Sequence, residues 1–172
     1  MDVSRASDPP TSNRTTVEQK SDREVVVKRS FNAPARIVFE AWTTPELFKQ
    51  WWLPKSMGMS LLSCEMDVRT GGKYVLVFDQ GAAKPMEFHG RYIEVTPHSR
   101  LVWTNDESDN GAVTTVTFEE KGDRTLLVLH DLYPSKEAFE AEHGMEDAMG
   151  ETFEQLDDLL ATDENHERKH PQ

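Results

Sequence analysis

Two histidines, His89 and His130, fall within strand-like stretches and are the residues best suited to acid–base catalysis in this chain. An imidazole beside a cavity can act as a general base because its pKa lies near neutral pH. The carboxylates that could orient such a ring are Glu65, Asp67, Glu87 and Asp131. The alternative is that each imidazole is an ordinary strand side chain, held by a polar neighbour or exposed to solvent. No serine lies in a nucleophile-elbow setting, so a Ser-His-Asp triad is not predicted.

Other reactive or metal-binding patterns are weak. The single cysteine, Cys64, lies in a strand-like run without a basic neighbour that would lower its pKa, so we expect a buried structural thiol. His166 and His170 are four residues apart, but a lone pair of histidines in a charged tail is not a zinc pattern. The turn at Gly71–Gly72 lacks the lysine and the following helix of a phosphate loop. The sequence thus predicts no metal and no cofactor.

An amphipathic helix near the end of the chain, from Met145 to Ala161, organises the rest. Its apolar side recurs at three- and four-residue steps and forms one stripe that another element must cover. The stripe consists of Met145, Met149, Thr152, Phe153, Leu156, Leu159 and Leu160. The opposite face, which we expect to be solvated, consists of Glu146, Asp147, Glu151, Glu154, Asp157 and Asp158. Because the preceding residues are mostly strand-like, the helix should lie on the face of a sheet.

The segments before this helix predict a sheet with two small helices near its start. A β-branched run, Glu24 to Phe31, predicts the first strand. Proline at the first position favours a helix after Pro34, and Thr44–Pro45 favours a second helix that carries Trp51 and Trp52. Six further strand-like runs follow, and strands joined by short turns pair antiparallel. This order of elements indicates an α+β domain.

The 172 residues suffice for one domain with a substantial hydrophobic core. Residues 1–22 hold almost no large apolar side chains, so we expect a disordered arm, followed by a domain at 23–161 and a frayed tail at 162–172. The formal net charge of −12 argues against nucleic acid and anionic membranes as partners. One cysteine and the lack of a long apolar stretch lead us to expect a cytoplasmic protein without membrane insertion.

Several motifs occur in the order found in a known superfamily. They are Phe31–Pro34, Thr44–Pro54, Asp67–Gly72, His89–Val95 and Arg100–Thr104, followed by the late helix. In these motifs the chain resembles the SRPBCC superfamily (START-like, or Bet v-like), from about Arg23 to Ala161. Within it, the match is to the branch related to the C-terminal domain of activators of the heat-shock-protein-90 ATPase. The chain departs from the pattern at Leu53, where members commonly have glycine between the second tryptophan and the proline.

The resemblance implies a helix-grip fold, in which a seven-stranded antiparallel sheet curls around the C-terminal helix and two short helices lie between strands 1 and 2. Such a sheet and helix leave a cavity between them. Its candidate ligand-binding residues are Trp52, Met57, Met59, Phe78, Phe88, Tyr92, Trp103, Phe118, Met149 and Phe153. The alternative for each is an ordinary place in the core. Adjacent helical positions point in different directions, so Trp51 and Trp52 cannot both face inward.

Three functions are compatible with this resemblance. The first, which we expect, is a START-like protein that binds a hydrophobic small molecule between the sheet and the C-terminal helix. The second is a polyketide cyclase-like or hydrolase-like enzyme that uses the same cavity. The third is a co-chaperone-like ATPase activator, as the name of the branch implies. The sequence also allows a homodimer through sheet edges or through the small helices.

Overall fold

Stretches of alternating inward and outward side chains form eight β-strands, and stretches with a helical apolar period form the helices. The computed structural model describes residues 14–58, 60–79, 84–106, 109–142 and 145–169. The strands are β1 (Thr16–Ser21), β2 (Glu24–Phe31), β3 (Ser60–Met66), β4 (Lys73–Asp79), β5 (Met86–Thr96), β6 (Arg100–Thr104), β7 (Val113–Lys121) and β8 (Arg124–Leu132). The α-helices are α1 (Ala35–Thr43), α2 (Pro45–Trp51), α3 (Lys136–Glu142) and α4 (Met149–Lys169). Short 3-10 helices span Lys55–Met57 and Met145–Ala148.

The eight strands form one antiparallel sheet in the order β1-β2-β8-β7-β6-β5-β4-β3. From β3 to β8, strands that follow one another in the chain pair with one another, because short connections join them. Strand β8 also pairs with β2, which lies near the other end of the chain. The predicted α+β helix-grip fold is confirmed, with two short helices between β2 and β3 and a C-terminal helix on the sheet.

The sheet has one strand more than the seven expected, and the extra strand comes from the segment expected to be a disordered arm. This strand, β1, pairs with β2 and places Val17 opposite Val27. Its side chains are almost all exposed, so backbone hydrogen bonds to β2, rather than side-chain burial, hold it in place. Composition alone therefore missed it, and the ordered part begins before residue 23. Residues 1–13 of that arm lie outside the described residues.

Helix α4 buries the predicted apolar stripe. Phe153 and Leu156 are fully buried, and Met149, Thr152 and Leu160 are at most 6% exposed. The helix continues to Lys169, through residues that were expected to belong to a frayed tail. In the described part of the chain, neither this helix nor any other is long and apolar enough to cross a membrane.

One acidic residue of the predicted solvated face is instead buried. Glu146 is 4% exposed. It lies in the 3-10 helix Met145–Ala148, before α4 begins. The 3.6-residue period of α4 does not extend through that tighter turn. The spacing in the sequence therefore placed Glu146 on the solvated face, which is the wrong one. The side chain of Met145, the first residue of the predicted stripe, is outside the described part of the structure.

Helices α1 and α2 pack together through a cluster of aromatic rings centred on Trp42. This residue of α1 is 1% exposed. Six ring centroids lie within 6.3 Å of its own, those of Phe48, Trp51, Trp52, Trp103, Phe118 and Phe153. The indole N–H of Trp51 donates a hydrogen bond to the carbonyl oxygen of Ala41 at 3.0 Å, which satisfies the polar end of a fully buried ring. Trp51 is therefore a core residue.

A buried ion pair joins α4 to the sheet. Arg29 on β2 is 6% exposed, and its guanidinium pairs with the carboxylate of Asp157 on α4. The guanidinium carbon also lies 5.3 Å from the ring centroid of Phe31, within the range of a cation–π contact. A charge at this depth needs a partner, so the pair fixes which side of α4 faces β2.

Candidate ligand cavity

The sheet and the helices leave two adjacent lobes unfilled, and together these form the candidate site. The smaller lobe has a volume of about 50 Å³ and the larger lobe about 150 Å³. Both lobes are bordered by the same four residues, Trp52, Phe88, Trp103 and Asn105. The remaining wall of the smaller lobe is aromatic and aliphatic. The remaining wall of the larger lobe adds the polar side chains of Thr114, Asp131, Tyr133 and Glu146.

Trp52 directly follows helix α2, has an extended backbone and borders both lobes. Its ring stacks on Phe48, with centroids 4.9 Å apart and planes inclined by 25°. Its neighbour Trp51 packs in the core and borders neither lobe. Of the two adjacent tryptophans, Trp52 therefore lies at the cavity and Trp51 lies in the core.

The next residue, Leu53, has a backbone conformation that favours glycine. Its φ angle is +80°, in the left-handed region, yet its side chain is 3% exposed. A non-glycine residue in this region costs about 1–2 kcal/mol relative to the right-handed conformation. The departure from the family pattern noted in the sequence thus changes the residue but keeps a glycine-like backbone.

Two side chains of α4 hold the loop that contains Leu53. The amide group of Gln155 donates hydrogen bonds to the carbonyl oxygens of Trp51 and Leu53, at 2.9 and 2.8 Å, and accepts one from the backbone N–H of Lys55 at 2.9 Å. One turn earlier, Glu151 accepts hydrogen bonds from the backbone N–H of Ser56, at 3.0 Å, and from its hydroxyl. These bonds lower the pKa of Glu151. The helix that closes the cavity therefore also positions the loop beside it.

A pair of carboxyl groups forms the polar end of the larger lobe. Asp131 lies on β8, on the same side of the strand as the buried residues Leu127 and Leu129, and its carboxyl group is hydrogen-bonded to that of Glu146. The hydroxyl of Thr114 donates to Asp131 Oδ1 at 2.6 Å, and the hydroxyl of Tyr133 donates to Glu146 Oε2 at 2.7 Å. Each carboxyl group is thus held by a hydroxyl from a different element.

The surroundings of Asp131 favour its protonated form. Burial and the neighbouring Glu146 carboxyl raise the pKa of Asp131 well above its usual range, while the hydrogen bond from Thr114 acts in the opposite direction. Two carboxylates in contact cannot both ionise without strong repulsion, and a direct hydrogen bond between them needs a proton. A protonated Asp131 can donate the hydrogen bond that joins it to Glu146.

Polar contacts extend from this pair to the smaller lobe. The side-chain amide of Asn105 donates to Thr114 Oγ1 at 3.1 Å and to the carbonyl oxygen of Ala112 at 2.7 Å. The hydroxyl of Tyr74 donates to the carbonyl oxygen of Thr104 at 2.7 Å and lies 3.2 Å from Asn105 Oδ1. These groups satisfy one another within a mostly apolar wall, which keeps their positions fixed.

The two histidines proposed as catalytic residues do not border the cavity. His130 is adjacent to the inward-facing Asp131, so its side chain points to the other side of the sheet. There its Nε2 lies 2.9 Å from Glu24 Oε2, and the hydrogen bond lowers the pKa of Glu24. His89 alternates in the same way with Phe88, which does border both lobes. Neither histidine therefore has the inward orientation that an imidazole base in the cavity would need.

The structure separates the predicted ligand-binding residues into two groups. Five of them border a lobe: Trp52, Phe88, Tyr92, Trp103 and Met149. Three are buried in the core and border neither lobe: Phe78, Phe118 and Phe153. Met59 and the side chain of Met57 lie outside the described residues.

Sequence reasoning missed most of the polar end of the cavity. Asp131 was considered only as a group that might orient a histidine, and Glu146 only as a solvated residue. The signal for Asp131 was its spacing of two from Leu129, which gives both residues the same orientation in a strand. No comparable signal marks Glu146, because its position depends on the turn before α4.

The other reactive residues considered in the sequence do not add to the site. Burial raises the pKa of the Cys64 thiol to about 11, which favours the unreactive protonated form, as expected for a structural thiol. The side chains of His166 and His170 lie outside the described part of the structure. Within the described residues, no three His, Cys, Asp or Glu side chains are grouped as a metal site requires.

Comparison with solved structures places the fold among bacterial relatives. Protein NE0264 from Nitrosomonas europaea is 23% identical, with a TM-score of 0.76 over 85% of this chain and 99% of that one. A protein from Rhodobacter sphaeroides is 23% identical, with a TM-score of 0.77 over 86% and 98%. CalU16 from Micromonospora echinospora is 19% identical, with a TM-score of 0.58 over 90% and 88%. At these identities the likeness shows the fold.

A family match identifies the chain more closely. None of the curated proteins matches it significantly. The family described as "Activator of Hsp90 ATPase homolog 1-like protein" matches residues 32–161, from the start of α1 through most of α4. This range includes the double tryptophan, the loop at Leu53 and every residue named above at the two lobes. The chain therefore belongs to the Activator of Hsp90 ATPase homolog 1-like family, a branch of the SRPBCC superfamily.

Proposed function

We propose that this protein binds a small, mainly apolar molecule in the two-lobed cavity. The observation that supports this function is the unfilled larger lobe of about 150 Å³, bordered by Trp52, Phe88 and Trp103. Protein cores rarely contain voids much larger than a water molecule. The aromatic side chains at this lobe leave apolar surface uncovered, which a bound apolar molecule would bury.

The volume limits the size of the ligand. A cavity of about 150 Å³ accommodates a benzene-sized molecule, whereas pockets for drug-sized ligands span about 300–1,000 Å³. The larger lobe therefore fits one ring with a short substituent, and the smaller lobe can receive part of that substituent. Polyketides with several fused rings exceed both lobes together.

The experiment is a thermal-shift and tryptophan-fluorescence titration with toluene, phenol, indole and cyclohexanol. A ligand at 100 times its Kd adds about 2.7 kcal/mol of stability, which is roughly 5–10 °C in Tm for a chain of this length. The variant Ala112→Leu fills the larger lobe and should lose this shift. The matched control is Ala161→Leu, which makes the same change at an exposed position of α4 and should keep it.

Two outcomes would contradict this function. One is the lack of any Tm shift from all four compounds, together with native mass spectra that show no co-purified ligand. The other is an equal shift in the wild type and in Ala112→Leu, which would place the binding outside the larger lobe. Circular dichroism of both variants establishes that each is folded before it is titrated.

Acid–base catalysis on a small substrate is a second candidate function, favoured by the Asp131–Glu146 pair. The pair places a carboxyl group with a raised pKa next to a second carboxyl group at one cavity wall, and general acid–base catalysis uses carboxyl groups with shifted pKa values. Cyclase-like or hydrolase-like turnover would depend on both groups, so Asp131→Asn should abolish it. Turnover that survives this substitution would exclude the pair as the catalyst.

ATPase stimulation, the activity in the family name, has no counterpart in the residues described at the cavity and is not proposed.

A further inference from the structure

Tyr92 on β5 lies on the inner face of the sheet and borders the smaller lobe. It is 5% exposed, while its two neighbours in the strand are exposed on the opposite face. Its backbone is held by a turn, since its N–H donates to the carbonyl oxygen of Gly72 and its carbonyl oxygen accepts from the N–H of Gly71, both at 2.8 Å. Its ring packs against that of Tyr74, with centroids 5.8 Å apart. The phenol ring is therefore held in place at the wall of the lobe.

The hydroxyl of Tyr92 makes no hydrogen bond to any of the described residues. By contrast, the hydroxyl of Tyr74 at the same lobe donates to the carbonyl oxygen of Thr104 at 2.7 Å. The indole nitrogen of Trp42 also lacks a partner, but it has almost no accessible surface, and the Tyr92 hydroxyl is not closed off in this way. A buried donor without an acceptor is unfavourable, because it has lost its hydrogen bond to water. The hydroxyl of Tyr92 is thus the donor that a molecule in the smaller lobe can reach.

The surroundings of this hydroxyl keep it in its neutral, donating form. Burial raises the pKa of Tyr92 well above its usual value, and the neighbouring acidic groups of Cys64 and Asp67 raise it further. A protonated phenol offers one hydrogen to an acceptor. The group that is missing from the protein side of the lobe is therefore an acceptor, which a ligand can supply.

A neutral acceptor suits this lobe better than an anion. Among the described residues that border either lobe, none is a lysine, an arginine or a histidine. A carboxylate would therefore lose its hydration without gaining a cation. An alcohol would bring a donor of its own, which needs a further acceptor. A carbonyl oxygen accepts the hydrogen of Tyr92 and adds no donor.

From these observations we infer that the smaller lobe binds the carbonyl oxygen of a neutral ketone or aldehyde that carries one ring. The hydroxyl of Tyr92 donates a hydrogen bond to that oxygen. The ring lies in the larger lobe against Trp52, Phe88 and Trp103, which border both lobes and so connect the two parts of the ligand. The inference rests on the proposed binding function and specifies its ligand class.

The experiment measures how each ligand responds to Tyr92→Phe, which removes the hydroxyl and keeps the ring. The ligands are two ketones, acetophenone and 4-phenyl-2-butanone, and the hydrocarbons of nearly the same shape, cumene and isopentylbenzene. Each ligand is compared between the two proteins, because ketones are better hydrated in water than hydrocarbons. Isothermal titration should show that Tyr92→Phe lowers the affinity for at least one ketone about fivefold, the effect of one net hydrogen bond. The affinity for the hydrocarbons should not change, and benzoate should not bind.

Two outcomes separate this inference from the binding function. Ketones that bind the wild type and Tyr92→Phe equally well would overturn the carbonyl inference and leave the binding function intact. If neither the ketones nor the hydrocarbons bind the wild type, the binding function itself fails.

The control variant is Thr125→Val, which removes a fully buried hydroxyl that does have a partner. That hydroxyl donates to the carbonyl oxygen of Ala33 at 2.7 Å, and Thr125 borders neither lobe. Thr125→Val should lower the Tm and keep the affinity for the ketones, whereas Tyr92→Phe should leave the Tm unchanged or raise it. A Tm that falls as far in Tyr92→Phe as in Thr125→Val would show that the Tyr92 hydroxyl has a partner within the protein, and would overturn the inference.

Infrared spectroscopy tests the hydrogen bond directly. With acetophenone labelled with carbon-13 at the carbonyl, the C=O stretch of the bound ketone should lie at a lower frequency in the wild type and in Thr125→Val than in Tyr92→Phe. The same frequency in all three proteins would show that Tyr92 does not donate to the carbonyl oxygen.

Discussion

The side-chain amide of Gln155 donates a hydrogen bond to the carbonyl oxygen of Leu53 at 2.8 Å, and so ties α4 to a residue in the left-handed backbone region. The same amide holds the residues on either side, Trp51 and Lys55. Because Trp52 lies between these anchor points and borders both lobes, the position of the cavity wall depends on a side chain outside the cavity.

The substitution Gln155→Ala removes all three of these hydrogen bonds. We expect the free energy of unfolding to fall by about 1–3 kcal/mol, since each net hydrogen bond contributes on the order of 1 kcal/mol. Amide exchange in the loop around Leu53 should accelerate more than exchange in the sheet. The matched control is Glu154→Ala, at an exposed neighbouring position of α4, which should change neither. Uniform acceleration across the sheet and the loop would argue against a local tether.

At position 53 the glycine variant should be more stable than the alanine variant, which is the reverse of their usual order of stability. Both Leu53→Gly and Leu53→Ala lose a buried side chain, which costs about 2–5 kcal/mol for leucine to alanine. Only glycine relieves the cost of the positive φ angle, which is about 1–2 kcal/mol. Urea denaturation should therefore show Leu53→Gly to be more stable than Leu53→Ala by about 1 kcal/mol. If alanine is the more stable of the two, the backbone at this position is not left-handed in solution.

The raised pKa of Asp131 predicts how stability changes with pH. The pKa of Asp131 is raised in the folded protein, so between its unfolded value near 3.8 and the raised value the folded state holds more protons than the unfolded state. The free energy of unfolding must then fall as the pH rises through that window. The side chains hydrogen-bonded to Asp131 are those of Thr114 and Glu146, and of these only Glu146 carries a second carboxyl group.

The substitution Asp131→Asn removes the contribution of Asp131 to the fall in stability at higher pH. The stability of the variant relative to the wild type should increase as the pH rises above the unfolded pKa of Asp131, near 3.8, because the amide does not titrate. Carboxylates with lowered pKa values, such as Glu151 and Glu94, lose their contribution as the pH falls, but they do so equally in both proteins. Chemical denaturation at a series of pH values measures the difference. Parallel curves for the two proteins would show that the pKa of Asp131 is not raised in the folded protein.

The ion pair between Arg29 and Asp157 predicts that removal of one partner destabilises the protein strongly, whereas replacement of both partners by apolar residues destabilises it little. Asp157→Ala leaves a buried guanidinium without its partner, and we expect a loss of about 2–4 kcal/mol. Burial raises the pKa of Asp157 although Arg29 lowers it, so desolvation already weakens the pair. The apolar replacement Arg29→Met/Asp157→Leu should therefore recover most of the stability. The control is Asp158→Ala, at the exposed neighbour, which should change stability by less than about 0.5 kcal/mol.

Elements with a strong side-chain period were predictable from the sequence. The apolar stripe of α4 and the alternation in β7 and β8 depend on local spacing, and the structure follows that spacing. Strand β1 was not predictable in this way, because its side chains are exposed and its order comes from the backbone of β2.

The candidate site was harder to predict than the fold because it depends on orientation and on distant partners. His130 and Asp131 are adjacent, and a shift of one residue decides which of them faces the cavity. Glu146 faces it only because a 3-10 helix precedes α4. The aromatic walls were partly identified, since Trp52, Phe88, Tyr92, Trp103 and Met149 border the lobes, but spacing alone does not separate a residue at a void from one in the core.

The position of β8 between β2 and β7 has a consequence for biosynthesis. When the ribosome has synthesised the chain only as far as β7, the sheet is still in two unconnected parts. The reason is that β2 pairs with β8, where Val128 lies opposite Lys28. Such long-range closure slows folding. The Asp131–Glu146 pair is completed later still, when the residues around Glu146 emerge, so the larger lobe acquires its full lining only after the whole sheet has been synthesised.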